Sequence, residues 1–339
     1  MERRGGSLFR PAWWCRGPHA QTVWGAVGPL GARAPHQRRR WELPDGDFLD
    51  VDEGQAGPGA PILIALHGLE SSSRSSQVVG LLRAARRCGW RGVGVNFRSC
   101  GGALNRLRRS YHAGDTADLA WVIRRVLVEH PGSAVLCAGF SLGGNVLLKY
   151  LGEQGDAAPQ ALRAAAAIST PFDLAVSVRA IEQGFSRVYM RRLLRGLTRK
   201  TLAKLERFPD LVDRQALRAV RTVAEFDELV TAPIHGFPSA AAYWAASSAG
   251  TALPRIARPT LLINAQDDPF FPGAALPREA VARNRHLTAE FPLAGGHMGF
   301  ISGRWPGSTA SWAVERATRF LRDQLAASAW GQRAGDVVQ

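Results

Sequence analysis

The chain has 339 residues, of which 46% are hydrophobic and 21% are charged. This apolar content is sufficient for a large core, so the composition excludes an intrinsically disordered protein. The four cysteines are scattered and form no CxxC pair, which excludes a disulfide scaffold and the common thiolate zinc sites.

The formal net charge of +15 arises from 43 Lys+Arg against 28 Asp+Glu. A charge of this size is compatible with a protein that binds nucleic acid or a membrane surface. Lysine, however, occurs only at Lys149, Lys200 and Lys204, and the arginines are spread along the whole chain. We interpret the charge as a compositional bias and expect no nucleic-acid partner.

The N-terminal segment contains arginines but no continuous apolar stretch of signal-peptide length. No run of about 18 apolar residues occurs, so the sequence predicts no transmembrane helix and favours a cytoplasmic location. Trp13 and Trp14 are compatible with membrane contact, but we favour packing of an N-terminal arm, residues 1–40, on the core.

Strand and helix patterns alternate after this arm. Continuous apolar runs indicate strands buried on both faces, and apolar residues at helical spacing indicate helices between them. The predicted strands cover residues 41–43, 48–51, 61–66, 92–97, 134–140 and 164–169, and the predicted helices cover 75–88, 116–129 and 142–151. The first two strands form a hairpin, and the rest predict an α/β protein with a mostly parallel sheet and helices on both faces.

The alternation stops after Pro171, and residues 175–250 are helix-like without a strand of sheet quality. Strands resume at 260–265 and 287–291, and a helix follows near 308–327. We therefore predict one α/β core that is interrupted by an inserted helical cap. Its parts are the core at 41–174 and 251–330, the cap at 175–250 and a flexible tail at 331–339.

The segment from Gly139 to Gly143 reads Gly-Phe-Ser-Leu-Gly and lies between a predicted strand and a predicted helix. In that context GxSxG is typical of a nucleophile elbow, in which Ser141 projects from a sharp, strained turn. The two glycines allow the strand and the helix to approach each other. A glycine-rich turn that binds phosphate, or only packs, is the alternative interpretation.

A nucleophilic serine needs a base that is oriented by a carboxylate. His297 follows the last predicted strand in a glycine-rich loop, so we expect it to be the base. Asp267 and Asp268 follow the strand before and compete for the role of the acid. Asp268 is favoured because it precedes Pro272 by four residues, the usual spacing in such folds. The order serine, aspartate, histidine is that of the α/β-hydrolases.

An oxyanion hole in such a site requires two backbone N–H donors. We predict that one is Leu142, directly after the nucleophile. The other is expected in the loop after the third strand, which reads His-Gly-Leu-Glu from His67, with Leu69 as the donor.

The chain resembles the YheT-like branch of the α/β-hydrolase superfamily, the AB hydrolase 4 family. The segments that carry the resemblance run in order along nearly the whole chain: 19–22, 45–48, 67–72, 96–98, 110–116, 139–145, 225–227, 264–270 and 295–300. The resemblance implies an esterase or lipase-type hydrolase with Ser141, Asp268 and His297 as its triad. One segment departs from the family pattern Asn-x-Arg-Gly-Cys-Ser-Gly, since Ser99 and Gly101 replace its glycine and serine.

The predicted cap contains a dense basic stretch between Arg187 and Arg221 with interleaved apolar residues. This amphipathic pattern is open to two interpretations. The stretch is either a lid that touches anionic lipid surfaces or guides acidic substrates, or a solvated helix face, which we favour.

The sequence therefore predicts a serine hydrolase that cleaves carboxylic esters through an acyl-enzyme, with a small-molecule or lipid ester as substrate. This chemistry requires no metal and no organic cofactor. Acyl transfer or thioester cleavage by the same triad remains an alternative. A non-catalytic basic binding protein on a hydrolase scaffold is a second alternative, which the strained serine disfavours.

Overall fold

The computed structural model of the chain describes residues 9–27, 36–306 and 310–336. Within these ranges, eight strands form one sheet in the order β1-β2-β4-β3-β5-β6-β7-β8. Strand β2 is antiparallel to β1 and β4, and all other neighbours are parallel. The strands are β1 (Gln37–Glu42), β2 (Phe48–Glu53), β3 (Ile62–Leu66), β4 (Arg91–Val95), β5 (Val135–Phe140), β6 (Leu162–Ile168), β7 (Thr260–Ile263) and β8 (Leu287–Glu290), and a separate two-stranded pair is formed by β9 (Ile301–Ser302) and β10 (Ala310–Ser311). The predicted mostly parallel α/β sheet is confirmed.

The helices are distributed around this sheet and before its first strand. They are α1 (Pro18–Val27), α2 (Ser76–Arg87), α3 (Thr116–Glu129), α4 (Leu142–Gln154), α5 (Leu174–Ile181), α6 (Ser186–Leu205), α7 (Arg214–Ala219), α8 (Val223–Phe226), α9 (Ala232–Ile234), α10 (Ala240–Ser247), α11 (Arg278–Arg283) and α12 (Trp312–Asp336). No helix within the described ranges is long and apolar enough to cross a membrane.

The sheet is covered on both faces. In β3, Ile62 and Ile64 belong to one apolar cluster, which includes residues of α3 and α4, while Leu63 and Ala65 belong to a second cluster with residues of α2 and α12. All four side chains are fully buried. This alternation explains why the strand reads as a continuous apolar run.

A helical insertion, residues 174–255, connects β6 to β7. Its helices α5 to α10 surround their own apolar cluster, which includes Val178, Met190, Leu194 and Leu217. Five residues of the insertion, Asp227–Thr231, form a π-helical turn.

The first strand begins earlier than predicted. The arm was expected to extend to residue 40, but β1 starts at Gln37 because its arginines pair across the hairpin with acids of β2. Arg38 and Arg40 lie directly opposite Asp52 and Asp50, and the ion pairs measure 2.6 and 2.9 Å. These cross-strand pairs stabilise a strand that the hydropathy pattern does not reveal.

The two chain ends also differ in part from the prediction. The sequence did not predict helix α1 within the arm, while residues 1–8 and 28–35 lie outside the described residues. At the other end, α12 continues to Asp336, so residues 331–336 are helical instead of an irregular tail, and residues 337–339 are not described.

Candidate active site

Ser141 lies in the turn that joins β5 to α4. Its backbone φ of 51° and ψ of −120° are strained for a residue other than glycine. Hydrogen bonds fix the turn, since the Ser141 amide donates to the Ile168 carbonyl at 2.8 Å and the Asn145 amide donates to the Ser141 carbonyl at 3.0 Å. Such strain persists only where the surrounding structure imposes it.

The glycines around Ser141 are required by close packing. A Cβ atom at Gly139 would collide with the Gly143 carbonyl, and one at Gly143 would lie 2.8 Å from the Leu66 Cβ atom. The start of α4 therefore packs directly on the backbone of β3 and β5. The sequence predicted this use of the two glycines.

His297 lies between Ser141 and Asp268 in a buried chain of hydrogen bonds. The His297 Nε2 atom is 3.0 Å from the Ser141 Oγ atom. The Nδ1 atom is 2.9 and 3.1 Å from the two carboxylate oxygens of Asp268. Because a carboxylate only accepts, the Nδ1 atom carries the imidazole proton and leaves Nε2 free to accept from the serine hydroxyl.

Asp267, the competing acid, does not contact the imidazole. Its Oδ1 atom accepts a hydrogen bond from the Gly296 amide at 2.9 Å, and burial raises the pKa of its carboxyl. The structure therefore brings Asp268 to His297, whereas Asp267 contacts the backbone of the loop that carries His297.

Helix α1 supports that loop. The Thr22 Oγ1 atom accepts from the His297 amide at 2.9 Å. The Gln21 side chain donates through Nε2 to the Ile301 carbonyl and accepts through Oε1 from the Ile301 amide. Phe270 stacks on the imidazole with ring centroids 4.0 Å apart. These residues were given no role on the basis of the sequence, although Gln21 and Thr22 lie in one of the segments that carry the family resemblance.

The two residues predicted to form the oxyanion hole, Leu69 and Leu142, line the same cavity as Ser141. Leu142 is the first residue of α4. A Cβ atom at Gly68 would lie only 3.2 Å from the Ser141 Cβ atom, so the loop after β3 runs directly past the serine.

His67 fixes the start of this loop. It is fully buried, and burial lowers its pKa to about 4. Its Nε2 atom accepts from the Phe97 amide at 3.1 Å, so the proton is on Nδ1, which lies 2.7 Å from the Gly68 carbonyl oxygen. A neutral His67 thus joins the ends of β3 and β4, and it does not contact Ser141.

A cavity of about 970 Å³ connects this site with the helical insertion. Ser141 and His297 line it on the side of the sheet. The insertion contributes mainly apolar side chains, among them Val178, Ile181, Leu193 and Leu197.

The departure from the family pattern at Ser99 and Gly101 has a local explanation. Ser99 has a φ of 64°, a conformation that favours glycine, and its hydroxyl donates to the Asn105 side chain at 2.6 Å. A side chain at Gly101 would collide with the Asp50 carboxylate. Both exchanges lie in the loop after β4, and Ser99 lines the same cavity as Ser141.

Among the described residues, no three His, Cys, Asp or Glu side chains are grouped so that they could hold a metal ion. The donor groups near Ser141 are engaged with one another, as the bond between His297 and Asp268 illustrates.

A serine at a tight strand–helix turn, with an aspartate and a histidine following later strands of a mostly parallel sheet, defines the class of the α/β-hydrolase fold. The sequence matches the family described as alpha/beta hydrolase fold over residues 61–304, and the chain belongs to this family.

Within the family the chain is YheT-like. It is 40% identical over 272 residues to the Escherichia coli (strain K12) protein named "Putative esterase YheT", which covers 78% of each chain. It is also 30% identical over 295 residues to the "Monoacylglycerol lipase" of Saccharomyces cerevisiae, covering 84% of this chain and 63% of the yeast protein. The mouse "Phospholipase ABHD3" is 28% identical over 310 residues, covering 88% and 74%.

Solved structures support the fold. An esterase of Pyrococcus furiosus, Pf2001, aligns with a TM-score of 0.57 at 16% identity, covering 86% of this chain and 91% of its own. Est1E of Butyrivibrio proteoclasticus with bound ferulic acid aligns with a TM-score of 0.55 at 13% identity, covering 86% and 100%.

Proposed function

We propose that the protein is a serine hydrolase that cleaves carboxylic esters through an acyl-enzyme on Ser141. The observation that carries the proposal is the continuous hydrogen-bonded chain from Ser141 through His297 to Asp268. The names of the relatives, an esterase, a phospholipase and a monoacylglycerol lipase, agree with ester hydrolysis.

In this mechanism, His297 takes the proton from the Ser141 hydroxyl while the oxygen attacks the ester carbonyl carbon. Asp268 stabilises the imidazolium that forms. The backbone amides of Leu69 and Leu142 bind the negative oxygen of the tetrahedral intermediate, and each is expected to contribute about 3–4 kcal/mol.

Collapse of this intermediate transfers the His297 proton to the departing alcohol. A water molecule, activated by the same histidine, then attacks the acyl-enzyme and releases the carboxylic acid. No step requires a metal or an organic cofactor.

We also propose that the helical insertion is the cap of this site and selects substrates with an apolar acyl chain. Its leucine, isoleucine and valine side chains line the cavity beside Ser141. Burial of one methylene group contributes about 0.8 kcal/mol, so chain length is expected to affect specificity strongly.

Turnover of a series of p-nitrophenyl esters, from acetate to palmitate, tests this function. Wild type is expected to hydrolyse the series with a maximum at medium or longer chains, and Ser141→Ala is expected to be inactive. Wild-type protein that hydrolyses none of the esters would contradict the assignment, and a preference for acetate alone would contradict the acyl-binding role of the cap.

We also propose that helix α6 brings this cap into contact with an anionic lipid surface, the interpretation that was not favoured from the sequence alone. Five arginines of this helix are exposed, and none forms an ion pair or a side-chain hydrogen bond within the described part of the chain: Arg187, Arg191, Arg192, Arg195 and Arg199. Arg187, Arg191 and Arg195 recur every four residues and therefore share one face, whereas Arg192 and Arg199 also line the cavity. Phe185 and Val188, at the start of the helix, are 55% and 51% exposed. Val27 of α1 lines the cavity and is 65% exposed. Cations beside exposed apolar residues are the features of an interfacial surface.

A charge-matched comparison separates this surface from the basic composition of the whole chain. One variant changes the five α6 arginines to Gln, and the control changes five exposed arginines elsewhere: Arg86, Arg87, Arg124, Arg319 and Arg322. The α6 variant is expected to lose at least about tenfold of its binding to phosphatidylglycerol-containing vesicles, while the control retains its binding. Equal losses would show that only the net charge matters and would contradict the α6 surface.

A further inference from the structure

The two lysines of α6 occupy positions that differ from those of its arginines. In the whole chain only Lys149, Lys200 and Lys204 are lysine. Lys200 and Lys204 lie on the inner side of α6, where the Nζ atom of Lys204 is 2.7–3.1 Å from the carbonyl oxygens of Leu107, Arg108 and Arg109. An ammonium is compact and donates in three directions, whereas a guanidinium is larger and planar. The contacts at these inner positions therefore suit the compact ammonium of lysine and not the larger, planar guanidinium of arginine.

Lys200 contacts the loop that is predicted to bind the oxyanion. Its Nζ atom lies 2.9 Å from Oε1 of Glu70, the residue directly after Leu69, and 3.2 Å from the Cys100 Sγ atom. The Glu70 side chain is only 7% exposed. A side chain at Gly196, one turn before Lys200, would collide with the Glu70 carboxylate. Helix α6 thus packs directly on this carboxylate.

The backbone of Glu70 is held in a strained conformation. Its φ is 52°, in the left-handed region, and its amide donates to the Tyr111 hydroxyl oxygen at 2.9 Å. The same hydroxyl donates to the Glu70 Oε1 atom at 2.9 Å. Burial, together with Cys100 and Glu70, raises the pKa of Tyr111 well above its usual value, so the hydroxyl remains a donor. Tyr111 and Lys200 therefore fix both ends of Glu70.

The charge of Glu70 matters for the chemistry nearby. During acyl transfer a negative oxygen forms at the amides of Leu69 and Leu142, and a second negative charge in a site of low dielectric constant would destabilise it. Lys200 neutralises Glu70. Although burial alone would lower it, the pKa of Lys200 is raised by Cys100 and Glu70, so the ammonium stays charged.

We propose that Lys200 is a positioning residue for the oxyanion hole: it fixes and neutralises Glu70, and thereby holds the loop of residues 67–72 so that the Leu69 amide faces the developing oxyanion. This role rests on the proposed ester hydrolysis and deepens it. The helical insertion then contributes to the rate of the reaction as well as covering the substrate.

The test compares Lys200→Met, the double variant Lys200→Met/Glu70→Gln and the control Lys149→Met. Lys149 pairs with Glu153 on α4 and does not line the cavity. Lys200→Met is expected to lower kcat by about tenfold or more and to change KM by less than about threefold, since an oxyanion contact acts on the transition state. The affinity for a trifluoromethyl ketone, which forms an oxyanion with the serine, is expected to fall in parallel.

The double variant distinguishes positioning from a general loss of packing. Removing the uncompensated charge with Glu70→Gln is expected to recover at least about threefold of the lost kcat. If Lys200→Met does not fold, Tyr111→Phe gives the second measurement, because it retains the lysine and removes the partner of the Glu70 amide. Its kcat is expected to fall with little change in KM.

A kcat of Lys200→Met equal to that of Lys149→Met would overturn the proposal. A rise in KM alone would do so too, because it would make Lys200 a substrate-binding residue, as would a double variant that recovers nothing. The failure of the proposed function is separate: wild type would then show no Ser141-dependent turnover of p-nitrophenyl acetate.

Discussion

Two buried carboxylates, Asp268 at the edge of the sheet and Asp227 in the helical insertion, are stabilised in different ways. Asp268 contacts a histidine that becomes a cation during the proposed reaction. Asp227 accepts hydrogen bonds from the Trp244 indole at 2.8 Å and from the Thr231 hydroxyl at 2.8 Å, and it forms no ion pair with any described residue. Burial raises the pKa of Asp227 to about 6.

The two regions therefore treat a buried carboxylate differently. At the sheet edge, the buried carboxylate of Asp268 contacts His297, which the proposed reaction also uses. In the insertion, the charged form of Asp227 is buried without a cationic partner among the described residues, which lowers the stability of the folded protein. Asp227 also lines the cavity.

The largest effect is expected from the acid at the sheet edge. Asp268→Asn retains the size of the side chain but removes the charge that stabilises the imidazolium, so kcat is expected to fall by about 10⁴-fold. Asp267→Asn retains an acceptor for the Gly296 amide and is expected to change kcat by less than about threefold. Steady-state turnover of p-nitrophenyl butyrate measures both, and equal losses would contradict the assignment of Asp268.

A stability effect is expected from the acid in the insertion. Because the pKa of Asp227 is higher in the folded protein, the folded state holds the proton more tightly, and this contribution is lost as the pH rises from about 4 through about 6. Asp227→Asn removes that loss and is expected to stabilise the protein by about 1–3 kcal/mol at pH 8 and by little at pH 4. Urea unfolding at the two pH values checks this, and a pH-independent change would contradict it.

The smallest effect is expected at Ser99, which, like Ser141, has a positive φ. Ser141 is the proposed nucleophile, whereas Ser99 lies in the loop after β4. Ser99→Ala and Ser99→Gly lose the same hydroxyl, so they differ mainly in the cost of a positive φ. The glycine variant is expected to be more stable by about 1 kcal/mol, measured as the difference in unfolding free energy. A more stable alanine variant would show that the loop relaxes.

Much of the sheet and of the candidate site was predictable because each signal is local. A buried strand is a continuous apolar run, as in β3, and the ends of parallel strands meet at one edge of a sheet. The elbow at Ser141, and His297 and Asp268 after later strands, could therefore be placed near one another from their positions alone.

The remaining features depend on partners that are distant in sequence. Strand β1 is stabilised by Arg38 opposite Asp52, and the His297 loop is supported by Thr22, 275 positions earlier. The contact between Lys200 and Glu70 spans 130 positions. A local hydropathy pattern contains no information about such distant pairs. The early start of β1, the support of the His297 loop by α1 and the contacts of the inner face of α6 were therefore not predicted.

The central claim is that Ser141 is a nucleophile activated by His297. Intact-mass measurement after reaction with a fluorophosphonate tests it most directly, with Ser141→Ala and His297→Ala as comparisons. We expect one covalent adduct on the wild-type protein, none on Ser141→Ala and strongly slowed labelling of His297→Ala. Wild-type protein without an adduct, or an adduct that persists in Ser141→Ala, would contradict the claim.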